Sequence, residues 1–134
     1  MSTSSGRTVA VLLVSATMLL GACSTDEGST EDGWLRISPA ELSQMLEDRE
    51  VVLVNVHVPY EGEIPGTDSF IPYTEVASRL EELPPDATSL VIYCRSGNMS
   101  TTAAGELVAA GYSGFAELEG GFETWREAGL PFEA

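Results

Sequence analysis

Leu90-Val91-Ile92-Tyr93-Cys94-Arg95-Ser96-Gly97-Asn98-Met99-Ser100 joins four apolar residues to a loop of small and polar ones, and an Ala-, Leu- and Val-bearing stretch runs on from Ser100 to Ala110. The unbroken apolar run reads as a strand covered on both faces, the habit of parallel sheets. The stretch after it reads as a helix, with Gly111 supplying the left-handed residue that ends it. In parallel sheets the working site lies beyond the carboxyl ends of the strands, and Cys94 stands there. Amides of a loop entering a helix can point inward as an anion-binding nest, to which the helix dipole adds. Together with Arg95 these groups favour the thiolate, the nucleophilic form of cysteine, and an anionic adduct such as a persulfide. Gly97 permits a positive φ where the loop bends. The other use of a free cysteine is as a small buried hydrophobe.

Outward from this unit the pattern repeats. Val51 to Val56 is a second buried strand, and Trp34 to Ile37 a short first one. Ser38-Pro39-Ala40-Glu41 is a capping box with proline at the first helical position, opening a helix that runs to about Asp48. Loop residues fill His57 to Gly66; a short strand at Ser69 to Ile71 then leads into a helix expected from about Tyr73 to Leu83, which Pro84 and Pro85 stop. Phe115 to Leu118 is a fifth strand, and Gly120-Gly121 turn the chain into a last helix containing Trp125, closed by Gly129 and Pro131. Strands separated by helices imply right-handed βαβ units. The expected fold is therefore α/β, with a mostly parallel sheet of about five strands and helices on both faces, over residues 34–134.

The first 33 residues read as an address and a tether. One cation, Arg7, precedes the apolar run Val9 to Leu20, which at about 12 residues is shorter than the roughly 20 that span a bilayer. Leu20-Gly21-Ala22-Cys23 resembles a bacterial lipobox, and residues 1–22 are then a lipoprotein signal peptide cut before a diacylglycerol-bearing Cys23. Ordinary cleavage nearby, leaving Cys23 free, is the alternative. Residues 24–33, STDEGSTEDG, hold no apolar side chain and form a flexible acidic link. This reading exports the chain and anchors it by lipid to the bacterial cell membrane, with the folded part outside the cytoplasm. Cys94 is then the one remaining free thiol, in a compartment where thiols tend to be oxidised or paired.

Charge excludes several functions. Six arginines and no lysine face 21 acids, for a formal net charge of −15. Without lysine there is neither a Schiff-base residue nor a lysine-bearing phosphate loop. So acidic a surface repels nucleic acid. One His and two Cys cannot build a four-ligand Cys/His zinc site, and no cofactor is implied. Trp34 and Trp125 are expected at the core edge, and Glu81, Glu82 and Asp86 on a solvated face.

The loop Cys94 to Ser100, CRSGNMS, resembles the C-R-S-G-N-R-S active loop of single-domain rhodaneses. Glu61 to Val76 is similar to that family's E-Y-x-x-G-H-I-P-G-A-x-x-I-P segment, and Leu118 to Glu133 to its L-x-G-G-x-x-x-W-x-x-A-G-x-P ending. The resemblance covers about 100 residues, with three motifs in order. It implies sulfane-sulfur transfer through a persulfide on Cys94, from a small sulfur-containing donor to a thiol, cyanide or protein acceptor. Arg95, Ser96, Gly97, Asn98, Met99 and Ser100 are then the substrate-binding loop.

Departures from the family pattern bear on function. Met99 stands where the family has a second arginine, which puts thiosulfate recognition in doubt; Met99 either contacts an apolar donor or a protein partner, or packs on the loop rim. Asn55 replaces an aspartate and His57 an arginine at the end of the second strand. His57 is either a base or thiolate partner for Cys94 or a structural residue, and Asn55 can donate and accept hydrogen bonds without the family's charge pair. Glu61 and Glu63 are expected to form a solvated acidic rim, the other possibility being that they hold His57. A non-catalytic binding or thiol-redox module at the membrane surface is the competing function. Phosphatase chemistry of the C-x5-R kind fails, because the sixth residue after Cys94 is Ser100.

Overall fold

The computed structural model describes residues 32–134; the apolar leader, Cys23 and the link through residue 31 lie outside the described residues. Five strands form one sheet: β1 (Leu35–Ile37), β2 (Val52–Asn55), β3 (Ser69–Phe70), β4 (Leu90–Tyr93) and β5 (Ala116–Leu118). Their order is β1-β5-β4-β2-β3, and every pairing is parallel. Three α-helices accompany them: α1 (Pro39–Asp48), α2 (Asn98–Ala109) and α3 (Gly121–Glu127). The expected α/β architecture is therefore present.

β4 lies between β2 and β5, and all four of its side chains are buried. Alternation sends Leu90 and Ile92 to one face, where they meet Ala103, Ala104 and Leu107 of α2. Val91 and Tyr93 go to the other, against Leu42 of α1 and Phe122 and Trp125 of α3. Each face thus has its own apolar layer. The capping box forms as read, Glu41 N–H donating to Ser38 Oγ (3.2 Å) and Ser38 N–H to Glu41 Oε2 (2.7 Å). Tyr93 reaches through its layer to accept the Ile64 N–H (3.1 Å) and to bond Thr67 Oγ1 (2.8 Å), tying the loop after β2 to the sheet. Burial pushes its hydroxyl up to about 12, so it stays a neutral hydrogen-bonding group well above neutral pH.

The helix expected from Tyr73 to Leu83 is absent. Two 3-10 turns, Val76–Ser78 and Leu80–Glu82, take its place. In an α-helix the Glu75 carbonyl would accept the Arg79 amide. Here the Ser78 amide (3.0 Å) and hydroxyl (2.7 Å) occupy that carbonyl, and the Arg79 amide turns to Val76 O (3.1 Å). The apolar spacing survives the change: Val76 and Leu83 are buried and Leu80 packs beside them. The acidic face is solvated as expected, with Glu81, Glu82 and Asp86 all exposed; on it Glu82 pairs with Arg79, and Asp86 accepts the Thr88 amide (3.0 Å) to cap a third 3-10 turn.

Candidate active site

Cys94 follows β4 on the face that α2 covers, and only 1% of it is exposed. Gly97, the residue before α2, has φ 105° and turns its N–H onto Cys94 Sγ at 3.0 Å. Among the described residues it is the one backbone amide that donates to the sulfur, so the expected nest has a single amide in contact. The 12-residue α2 begins at once after it, placing the positive end of the helix beside the sulfur. The hydroxyl of Ser100, in the first turn, lies 3.3 Å from Sγ.

The loop is also held from the opposite side. The start of α3 donates Phe122 N–H to Cys94 O (2.9 Å) and Glu123 N–H to Arg95 O (3.0 Å). Gly121 approaches so closely that a Cβ there would stand 2.3 Å from Cys94 O and 2.4 Å from Arg95 O. Its φ of 61° is one that side chains other than glycine's seldom adopt. The Gly-Gly turn thus sets the height of the Cys94 loop.

A cavity of about 420 Å³ opens over Cys94, between the loop carrying His57, Val58, Pro59 and Glu61 and the one carrying Arg95, Ser96, Asn98 and Met99. His57 Nε2 pairs with Glu61 Oε2, and its ring stands edge-on to Phe122 at 5.6 Å. No hydrogen bond joins His57 to Cys94, although both line the cavity. The hydrogen bond with His57, with the Arg95 charge adding to it, holds the Glu61 carboxyl below the usual carboxylate range. Glu61 is thus exposed, as a rim residue would be, and also holds His57, so the alternative reading applies to it. Glu63 does not hold His57: its backbone pairs with that of Glu133.

Arg95 departs from expectation as well. It does not contact the sulfur; its guanidinium lies between Glu123 Oε1 (3.0 Å) and Glu61 Oε1 (3.6 Å). Among the described residues Arg95 is the only arginine lining the cavity, and two carboxylates already face it. Met99 lines the cavity and also packs partly into the apolar layer under α2. Asn55 lies behind the cavity wall, fully buried; it donates to Gly62 O (3.0 Å) and accepts the His57 N–H (2.9 Å), bracing the wall rather than lining it.

Behind Cys94 lies a group that the sequence reading did not single out. Glu117 of β5, 2% exposed, accepts hydrogen bonds from Ser100 Oγ (2.6 Å) and Thr101 Oγ1 (2.9 Å) on Oε1 and from Trp34 Nε1 (2.8 Å) on Oε2. Arg36 Nε stands 3.8 Å from Oε2. The signal available was an acid inside a short apolar strand, and its partners come from the first turn of α2 and from the segment around β1 rather than from nearby sequence.

A rhodanese-like domain model matches residues 38–128. A protein of Synechocystis is 38% identical over 98 residues, 71% of this chain and 54% of its own length, so this chain spans about half of that relative. A protein named sulfurtransferase from Allochromatium vinosum is 39% identical over 102 residues, 73% of this chain and 94% of its own. Among solved structures, a rhodanese-related protein from Thermoplasma volcanium superposes with a TM-score of 0.61 at 27% identity, covering 72% of this chain and 95% of that one. Because that domain model spans more than half of the chain, from the first helix through the Cys94 loop to the Gly-Gly turn and α3, the chain belongs to the rhodanese-like domain family.

Proposed function

We propose that the protein is a sulfurtransferase that carries sulfane sulfur as a persulfide on Cys94. The observation that carries this reading is the placement of the Cys94 sulfur at the floor of a cavity, against the Gly97 amide and the start of α2. The thiolate attacks the outer sulfur of a donor R–S–SH; the donor's S–S bond breaks, R–S⁻ leaves with the bonding pair, and Cys94 becomes Cys–S–SH. A thiolate or cyanide acceptor then attacks that outer sulfur and releases the Cys94 thiolate. Every electron pair is accounted for, with no outside oxidant.

The donor in this reading is a thiol-borne persulfide or polysulfide rather than thiosulfate. Thiosulfate is a dianion, the cavity-lining Arg95 is shared by Glu61 and Glu123, and the chain's net charge is −15. Met99→Arg restores a cation at the cavity wall. It is expected to raise persulfide formation from thiosulfate about tenfold, or roughly 1.4 kcal/mol, and to leave the rate from a thiol persulfide of no net charge, such as zwitterionic cysteamine persulfide, nearly unchanged. Stopped-flow persulfide formation with both donors checks this; an equal gain with both removes the charge argument.

The lipobox-like Leu20-Gly21-Ala22-Cys23 supports placing this chemistry outside the cytoplasm at the end of a lipid-anchored acidic link. Cys23→Ser is expected to move the protein from the membrane to the soluble fraction of a bacterial host. An unchanged membrane fraction counts against the anchor.

A further inference from the structure

Among the described residues Glu117 is the only carboxylate buried in the fold, and every group that contacts it is a donor. Ser100 connects it to the nucleophile. The Ser100 hydroxyl has one hydrogen and three acceptors in reach: Glu117 Oε1 at 2.6 Å, Gly97 O at 3.3 Å and Cys94 Sγ at 3.3 Å. A charged oxygen at the shortest distance takes it. Ser100 is then left facing the sulfur with lone pairs, and the contact is a hydrogen bond only if Cys94 supplies an S–H. A thiolate at the same place would meet those lone pairs, with the Glu117 charge behind them.

We propose that Glu117, acting through Ser100, is a positioning residue that keeps Cys94 in its thiol form, in opposition to the Gly97 amide and the α2 terminus that favour the thiolate. The proposal rests on reading Cys94 as the nucleophile. Charged and titratable groups stand around the sulfur on several elements: His57 and Glu61 on the loop after β2, Arg95 on its own loop, and Glu123 of α3 through Arg95. Glu117 faces it from β5, with Arg36 of β1 behind. The variants below leave all but Glu117 in place.

The test is the pH profile of iodoacetamide alkylation at Cys94 in the full chain, read on the Cys94 peptide by mass spectrometry. Alkylation reports the thiol whether or not a persulfide ever forms, so this result is separate from the sulfurtransferase reading. Ser100→Ala removes the lone pairs, and Glu117→Gln offers Ser100 an amide donor in place of an acceptor. Both are expected to lower the midpoint by about one pH unit, making alkylation well below the midpoint about tenfold faster. A midpoint that stays put or rises in Ser100→Ala overturns the proposal, since a serine that donated to the sulfur would give that sign. Ser100→Ala decides the matter alone should Glu117→Gln fail to fold.

Discussion

Cys94→Ser is expected to reduce sulfur transfer at least a thousandfold, on the order seen when a covalent nucleophile is removed from an enzyme. A hydroxyl cannot form the sulfur–sulfur bond, and it is far less ionised than a thiol near neutral pH. No other cysteine is present among the described residues to substitute for it. The fold should be indifferent to the change, because a serine oxygen can still accept the Gly97 amide that now points at Sγ. Thiocyanate production from cyanide and a persulfide donor, with an unfolding curve as control, checks both halves. Residual transfer above one part in a thousand, at unchanged stability, would place the carrier elsewhere.

Gly121→Ala is expected to be the most disruptive single-methyl substitution in the site. The added carbon meets two backbone carbonyls at 2.3 and 2.4 Å, and neither can rotate away as a side chain would. The left-handed backbone at Gly121 adds roughly 1–2 kcal/mol of its own for a residue with a Cβ. Relief requires moving the start of α3 off the Cys94 loop, which breaks the Phe122-to-Cys94 and Glu123-to-Arg95 bonds. A loss of about 3 kcal/mol or more in urea unfolding is expected, with sulfur transfer reduced even where the chain remains folded. Alanine tolerated within about 0.5 kcal/mol would mean that the loop is set by α2 alone.

The features legible in the sequence were those written locally. The apolar run of β4, the glycine that bends the loop and the Ser38–Glu41 box each lie within a few residues, and each forms as read. The Tyr73–Leu83 segment misled because α and 3-10 turns share the apolar spacing, and a single serine hydroxyl competing for one carbonyl decided between them. Glu61 is exposed, but its pairing with His57 is not decidable from sequence, because charge alone says nothing of where His57, four residues earlier, points its ring. Glu117 was harder still. Its partners Ser100 and Trp34 are 17 and 83 residues away in sequence, and only the β1-β5-β4 strand order makes them neighbours.

The central claim is that Cys94 is a sulfur carrier, and the direct measurement is the mass of its peptide. The full chain, reduced and then incubated with a low-mass thiol persulfide, should gain about 32 Da on the peptide containing Cys94, as one added sulfur requires, and lose it again on addition of cyanide. A Cys94 that alkylates readily with iodoacetamide yet gains no such mass from persulfide, polysulfide or thiosulfate would contradict the account and leave a rhodanese-like fold used for binding.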